Sequence, residues 1–213
     1  MNDAALVVSD LSCAAGPRPL FSGLQLSLQP GQWAMLTGPN GSGKTTLLRA
    51  LAGLVRPLDG QLSWCGAQQD PRGADWHGQL LYMGHLPGFN DDLDLAANLG
   101  WQFGLDGIDT SLVLPALTRV GLASRRDLPF GRLSAGQRRR VSLARLSQSR
   151  RPLWLLDEPA TALDLDGLRL LAGLLNEHLA RGGMAVVATH QPVPGLPQAV
   201  ALEMADFAPP AGA

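Results

Sequence analysis

The chain has a single lysine among its 17 Lys and Arg residues, and it is Lys44, within Gly38-Pro39-Asn40-Gly41-Ser42-Gly43-Lys44-Thr45-Thr46. This spacing, G-x-x-x-x-G-K-[ST], is that of a phosphate-binding loop. Glycines let successive backbone N–H groups curl around phosphate oxygens, and a following helix aims its N-terminal dipole at the same charge. All nine residues from Gly38 to Thr46 are therefore candidate nucleotide contacts. Lys44 is expected to reach the β- and γ-phosphates with a compact ammonium that the planar fork of arginine does not imitate, and the Thr45 hydroxyl to coordinate Mg²⁺. A second cluster, Asp157-Glu158, ends the apolar run Leu153-Trp154-Leu155-Leu156. Asp157 suits a Mg²⁺ holder, directly or through water, and Glu158 suits a general base that polarises an attacking water. The chemistry these groups could perform is phosphoryl transfer from a nucleotide to water.

Both clusters need strands to present them. Gln32-Trp33-Ala34-Met35-Leu36-Thr37 is predicted to be a buried strand entering the loop, and Leu47, Leu48, Leu51 and Leu54 to form the apolar face of a helix leaving it. The run 153–156 is apolar on both faces, as in a buried parallel strand, and open α/β sheets bind ligands at the C-terminal ends of such strands. Further strands are predicted at 6–8, 24–28, 61–64, 80–83 and 184–188. From about 86 to 150 the pattern is helical, with candidate N-caps at Asp94, Asp109 and Ser134. Leu168, Leu171, Leu175 and Leu179 mark an amphipathic helix that Gly182-Gly183 should stop. The sum is a parallel α/β core interrupted by a helical insert, with a tail from Pro209 that should fray.

Composition bounds the alternatives. At 22.5 kDa and 46% apolar residues the chain can build one substantial core. No run approaches the roughly 18 to 20 apolar residues that span a bilayer, and Met1-Asn2-Asp3-Ala4-Ala5 lacks the basic start of a secretory signal. A cytosolic protein, or one that reaches a membrane by docking, is expected. A net charge of −1 gives no general electrostatic case for nucleic acid. Cys13 and Cys65 lack metal or redox spacing and are expected to be free thiols. The arginines from 125 to 151 are expected to form a solvated helix face, with a phosphate or acidic-partner surface as the alternative.

Leu133-Ser134-Ala135-Gly136-Gln137 resembles the signature sequence of ATP-binding cassette (ABC) ATPases, with Ala135 in place of the first glycine. Small residues at a helix N-terminus again make an anion site. Ala162-Leu163-Asp164 looks like that family's D-loop, and Thr189-His190 like its switch histidine. The resemblance covers about residues 5 to 191. It implies a P-loop NTPase core with a mostly parallel sheet, an N-terminal antiparallel β region and an inserted α-helical subdomain at about 86–150, all within one domain spanning 1–213. It implies ATP and Mg²⁺ as ligands, and Glu158, His190 and Lys44 as catalytic residues. Further, Ser134, Gly136, Gln137 and Asp164 would face ATP across a homodimer, and integral membrane subunits would be the partners. Guanine specificity would need an Asn-Lys-x-Asp element, which a chain with no other lysine does not have.

Two departures stand out. The aromatic ring that family members stack on adenine aligns with Ala15, leaving Phe21 as a substitute candidate. The usual glutamine after the strand at 80–83 is His85, which either contacts the metal or water or has no metal role. Gly84-His85, the arginines of Gln137-Arg138-Arg139-Arg140-Val141, and Thr189-His190-Gln191 together look like the haem-exporter ATP-binding subunits of cytochrome c maturation, although the glutamate often found there before Asn98-Leu99 is Ala97. That resemblance implies an ATPase on the cytoplasmic face of the inner membrane. It would drive haem export or the release of a haem-loaded chaperone. An ABC ATPase for another cargo, and a soluble ABC ATPase, are the alternatives.

Overall fold

The computed structural model describes residues 6–85, 88–190 and 193–209. An antiparallel layer comes first, from β1 (Leu6–Ala15) and β2 (Arg18–Leu28). Alternation along 24–28 buries Leu24, Leu26 and Leu28 and exposes Gln25 and Ser27, so one face of this layer is core and the other solvent. Then follow β3 (Trp33–Thr37), α1 (Lys44–Leu51), β4 (Asp59–Trp64), β5 (Ala67–Gln68), α2 (Ala74–His77) and β6 (Leu80–Met83). Helices α3 (Leu95–Asp106), α4 (Val113–Arg119) and α5 (Ala135–Gln148) intervene before β7 (Leu153–Asp157). The remainder is α6 (Leu165–Ala180), β8 (Met184–Ala188) and β9 (Val200–Glu203). The antiparallel sheet has the order β2-β1-β4-β5, and the second sheet, parallel throughout, has β6-β7-β8-β3-β9.

The two faces of the parallel sheet serve different cores, and β7 shows how. Leu153 and Leu155 pack with α1 and the antiparallel layer, whereas Trp154 and Leu156 pack with α3, α5 and α6. With a period of two, an apolar residue is required at every position, and each buried leucine contributes about 1.5–3 kcal/mol. The same period places Asp157 on the α1 side, the side from which the phosphate loop enters its helix.

The structure corrects three expectations. Helix α1 ends at Leu51, where the Trp76 indole N–H donates to the Leu51 carbonyl at 2.7 Å, and Leu54 lies beyond it, 61% exposed. Gly53, at φ 73°, turns the chain there, and a Cβ at that position would fall 1.9 Å from the Pro71 carbonyl. The arginine stretch is not one solvated face. Arg139 is buried, and Arg145 forms a partly buried fork on Asp106, with Nη2 donating to Oδ1 at 2.7 Å and Nη1 to the Tyr82 carbonyl at 3.2 Å. That single side chain ties α5 to both α3 and β6. Strand β9, a short half-exposed edge, was not expected.

Asp94, Asp109 and Ser134 cap as predicted, Asp94 accepting from Ala97 N at 2.7 Å. Among the described residues no helix is long and apolar enough to cross a membrane. Cys13 is buried, which pushes its thiol up to about 11, and Cys65 is exposed; both are free. Gln191 and the residues from 210 of the expected frayed tail lie outside the described residues.

Candidate active site

Three neighbouring strands set the geometry. Asp157 pairs with Ala188, and Ala188 with Leu36, so β7, β8 and β3 end level at one edge of the sheet. The residues immediately beyond, Glu158, Thr189-His190 and Thr37-Gly38, therefore emerge side by side although about 30 to 150 positions separate them in sequence.

The phosphate loop closes on itself here. Ser42 N donates to the Pro39 carbonyl at 3.2 Å, and the buried Lys44 ammonium donates to the carbonyls of Gly38 at 2.6 Å and Pro39 at 3.1 Å. Gly43 has φ 103°, and a Cβ there would meet the Phe21 ring at 2.8 Å. Phe21 is fully buried beneath the loop and is no substitute for an adenine-stacking ring. Ser42 Oγ is buried without a hydrogen-bond partner.

Thr45 Oγ1 donates to Asp157 Oδ2 at 2.9 Å, joining the first turn of α1 to the end of β7. Glu158 has φ 50°, a left-handed conformation that costs a non-glycine residue about 1–2 kcal/mol. Its backbone is held at both ends, N donating to the Ala188 carbonyl at 2.9 Å and the carbonyl accepting from Arg139 Nη2 at 2.8 Å. His190 Nε2 approaches Asn40 Oδ1 at 3.1 Å and Glu158 Oε1 at 3.3 Å. The latter approach lacks hydrogen-bond geometry, so Glu158 Oε1 is buried and unbonded.

These groups surround one cavity of about 550 Å³. Asn40, Gly41, Gly43, Lys44, Thr45, Thr46, His85, Asp157, Glu158 and His190 all line it, joined by Ala15, Leu20 and Thr161. Ala15 stands at its wall with only a methyl group to offer a base. Among the described residues no group of three or more His, Cys, Asp and Glu side chains gathers to hold a metal ion. The paired Thr45 hydroxyl and Asp157 carboxylate are hard oxygen donors that fit a small divalent cation whose other ligands come from phosphate and water.

Ser134, Gly136, Gln137 and Asp164 do not line this cavity. Ser134 and Gln137 form a capping box on α5, Gln137 N donating to Ser134 Oγ at 3.3 Å and Ser134 N to Gln137 Oε1 at 3.1 Å. Gly136 is required because a Cβ there would come within 2.8 Å of the Ala162 carbonyl. Asp164 caps α6 through Gly167 N at 2.8 Å and accepts from Arg140 Nη2 at 2.6 Å; those two bonds hold its carboxyl below the usual range.

Arg139 is the functional candidate that reasoning from sequence overlooked. With Leu143 and Leu146 it follows the i, i+4, i+7 pattern of a buried helix face, a signal masked by the surrounding arginines. Its burial lowers its pKa, and the charges of Asp157 and Glu158 act against that.

A phosphate loop, an Asp-Glu strand end and His190 meeting on a parallel sheet, with a capped Ser-Ala-Gly-Gln helix beside them, match an ATP-binding cassette ATPase. The ABC transporter family model matches residues 21–161, and the chain belongs to that family as an ATP-binding, ATP-hydrolysing subunit of a transporter complex with membrane partners. Within the family it is similar to the cytochrome c biogenesis ATP-binding export proteins CcmA. It is 46% identical to that of Methylococcus capsulatus, over 89% of this chain and 93% of that protein. It is 47% identical to that of Nitrosomonas europaea (87% and 88%) and 45% to that of Escherichia coli K12 (88% and 90%). Among solved structures, a putative ABC transporter ATP-binding protein from Pyrococcus furiosus superposes with a TM-score of 0.82 at 22% identity, over 97% of this chain and 100% of that one. Another ABC transporter ATP-binding subunit gives 0.76 at 24% identity, over 87% and 79%. At those identities the likeness is one of fold.

Proposed function

We propose that the chain is the ATP-hydrolysing motor of a membrane complex in cytochrome c biogenesis, working in haem export or in the release of a haem-loaded chaperone. The observation that carries the motor chemistry is the meeting of Lys44, Thr45, Asp157, Glu158 and His190 around one cavity. The cargo is supported by the name shared by the relatives, cytochrome c biogenesis ATP-binding export protein, at 45–47% identity.

In this reading the loop N–H groups and Lys44 hold the β- and γ-phosphates. Lys44 exchanges its contacts with the Gly38 and Pro39 carbonyls for phosphate oxygens. Thr45 and Asp157 would hold Mg²⁺, with His85 at the same wall as a further contact to it or its water; bound there, the ion would supply positive charge to offset the charge that develops on the phosphates. Glu158 accepts a proton from the attacking water, and His190, braced by Asn40, keeps the glutamate and γ-phosphate in line. The products are ADP and phosphate.

Two copies of the chain form the working unit in this proposal. Ser134, Gly136, Gln137 and Asp164 stand outside their own cavity, which supports their use on ATP held by the other copy. The chain is one domain, residues 1–213, with the helical stretch of about 86–150 as its subdomain, peripheral to the cytoplasmic face of the inner membrane. Trp101 and Leu105, one turn apart on α3 and each 69% exposed, support that subdomain as the contact for the membrane subunits.

Copurification tests the reading. The chain should extract from membranes with multi-spanning subunits, and replacing Trp101 and Leu105 by alanine should release it while leaving its ATP binding intact. Loss of the chain should abolish holocytochrome c. Normal holocytochrome c in cells without it would overturn the cargo.

A further inference from the structure

Arg139 lies at the junction of two features that the ATPase reaction must keep in step. It sits on α5, five residues after the Ser134 cap, so it moves with the signature turn. Arg139 is buried, 7% exposed, and donates from Nη2 to the carbonyl of Glu158 at 2.8 Å. A buried cation needs counter-charge, and here Asp157 and Glu158 supply it. The carbonyl it grips belongs to Glu158, which is held in a left-handed conformation, φ 50°, without being glycine. Such a conformation persists only where the surroundings enforce it.

We propose that Arg139 is the positioning residue for Glu158: its bond to the Glu158 carbonyl fixes the left-handed turn that aims the glutamate carboxylate into the cavity beside His190. The proposal rests on the reading of Glu158 as the general base. Arg139 does not line the cavity. Its effect passes through the backbone, and it makes the aim of the base depend on where α5 stands. The Ser134 turn and the base are thus ends of one rigid unit, from helix cap through guanidinium to strand end.

The test compares full-length wild type, R139M, E158Q and R139M/E158Q by steady-state ATP hydrolysis and by binding of a fluorescent ATP analogue. R139M is expected to lower kcat by about 10- to 100-fold while KM for ATP and analogue affinity stay within about 3-fold. R139K, which keeps charge and donor, should recover part of that loss. In the E158Q background R139M should lower the residual rate no further, because the group it positions is already gone. Unchanged kcat in R139M, or a loss that multiplies in the double variant, would overturn the positioning role. Near-normal turnover in E158Q would instead overturn the base, a separate failure. If R139M does not fold, R139Q, which fills most of the space and lacks the charge, carries the same comparison.

Discussion

Thr45 Oγ1 and Asp157 Oδ2, 112 residues apart in sequence, are joined by a 2.9 Å hydrogen bond that links the first turn of α1 to the end of β7. Asp157 is 2% exposed, so the pair is a preset oxygen site rather than a surface contact. Asp157→Asn keeps shape and one oxygen but removes the charge. We expect apparent Mg²⁺ affinity in ATP hydrolysis to fall at least about 10-fold. A magnesium titration of turnover gives the answer, and an unchanged midpoint in that titration would remove Asp157 from the metal site.

Lys44→Arg keeps the positive charge and should still cripple the enzyme. The ammonium now fits between the Gly38 and Pro39 carbonyls at 2.6 and 3.1 Å, and a planar guanidinium cannot enter that space without spreading the loop. Turnover is expected to drop on the order of 10²-fold. Retained hydrolysis would mean that the loop needs only a cation.

Glu158→Gln should lower turnover by roughly 10²- to 10⁴-fold and spare ATP binding. Its side chain stands 19% exposed at the cavity, and its buried Oε1 has no hydrogen-bond partner among the described residues. Parallel measurement of hydrolysis and of ATP retention separates the two effects.

His178 gives the fold a pH dependence. Its ring stacks on Trp154 with centroids 3.9 Å apart, and burial lowers its pKa from 6.5 to about 4. The folded state therefore favours the neutral ring. The associated stability is complete above about pH 6.5, declines as the pH falls, and is lost once it passes about 4; the whole shift corresponds to about 3 kcal/mol. Denaturant unfolding should show a decrease of about 2 kcal/mol from pH 7 to pH 5 attributable to this group. His178→Gln should flatten that slope. A slope of equal size in the variant would assign the effect to other groups.

Local patterns were legible wherever one residue type has one use. The phosphate loop, the alternation at 24–28, the doubly apolar run ending in Asp157 and the three helix caps follow from steric freedom, strand period and unsatisfied helix N–H groups. Leu54 misled because helical spacing continued past a glycine that stops the helix. Arg139 and Phe21 misled because a side chain's burial depends on what packs over it, and the elements concerned are distant in sequence.

The sequence by itself determined which groups this protein can offer: a glycine-rich loop ending in Lys44, the oxygens of Thr45 and Asp157, and the Glu158 carboxylate. It also determined the strand and helix that present each, since the required backbone freedom and periodicity are local. Only the tertiary structure decided which groups meet. Register across β7, β8 and β3 brings Glu158, His190 and the phosphate loop to one edge, and it is set by pairing between segments far apart in the chain. Packing then turned Arg139 inward onto the Glu158 carbonyl and left Ser134 and Asp164 outside the cavity lining, an outcome of how α5 and α6 cover the sheet.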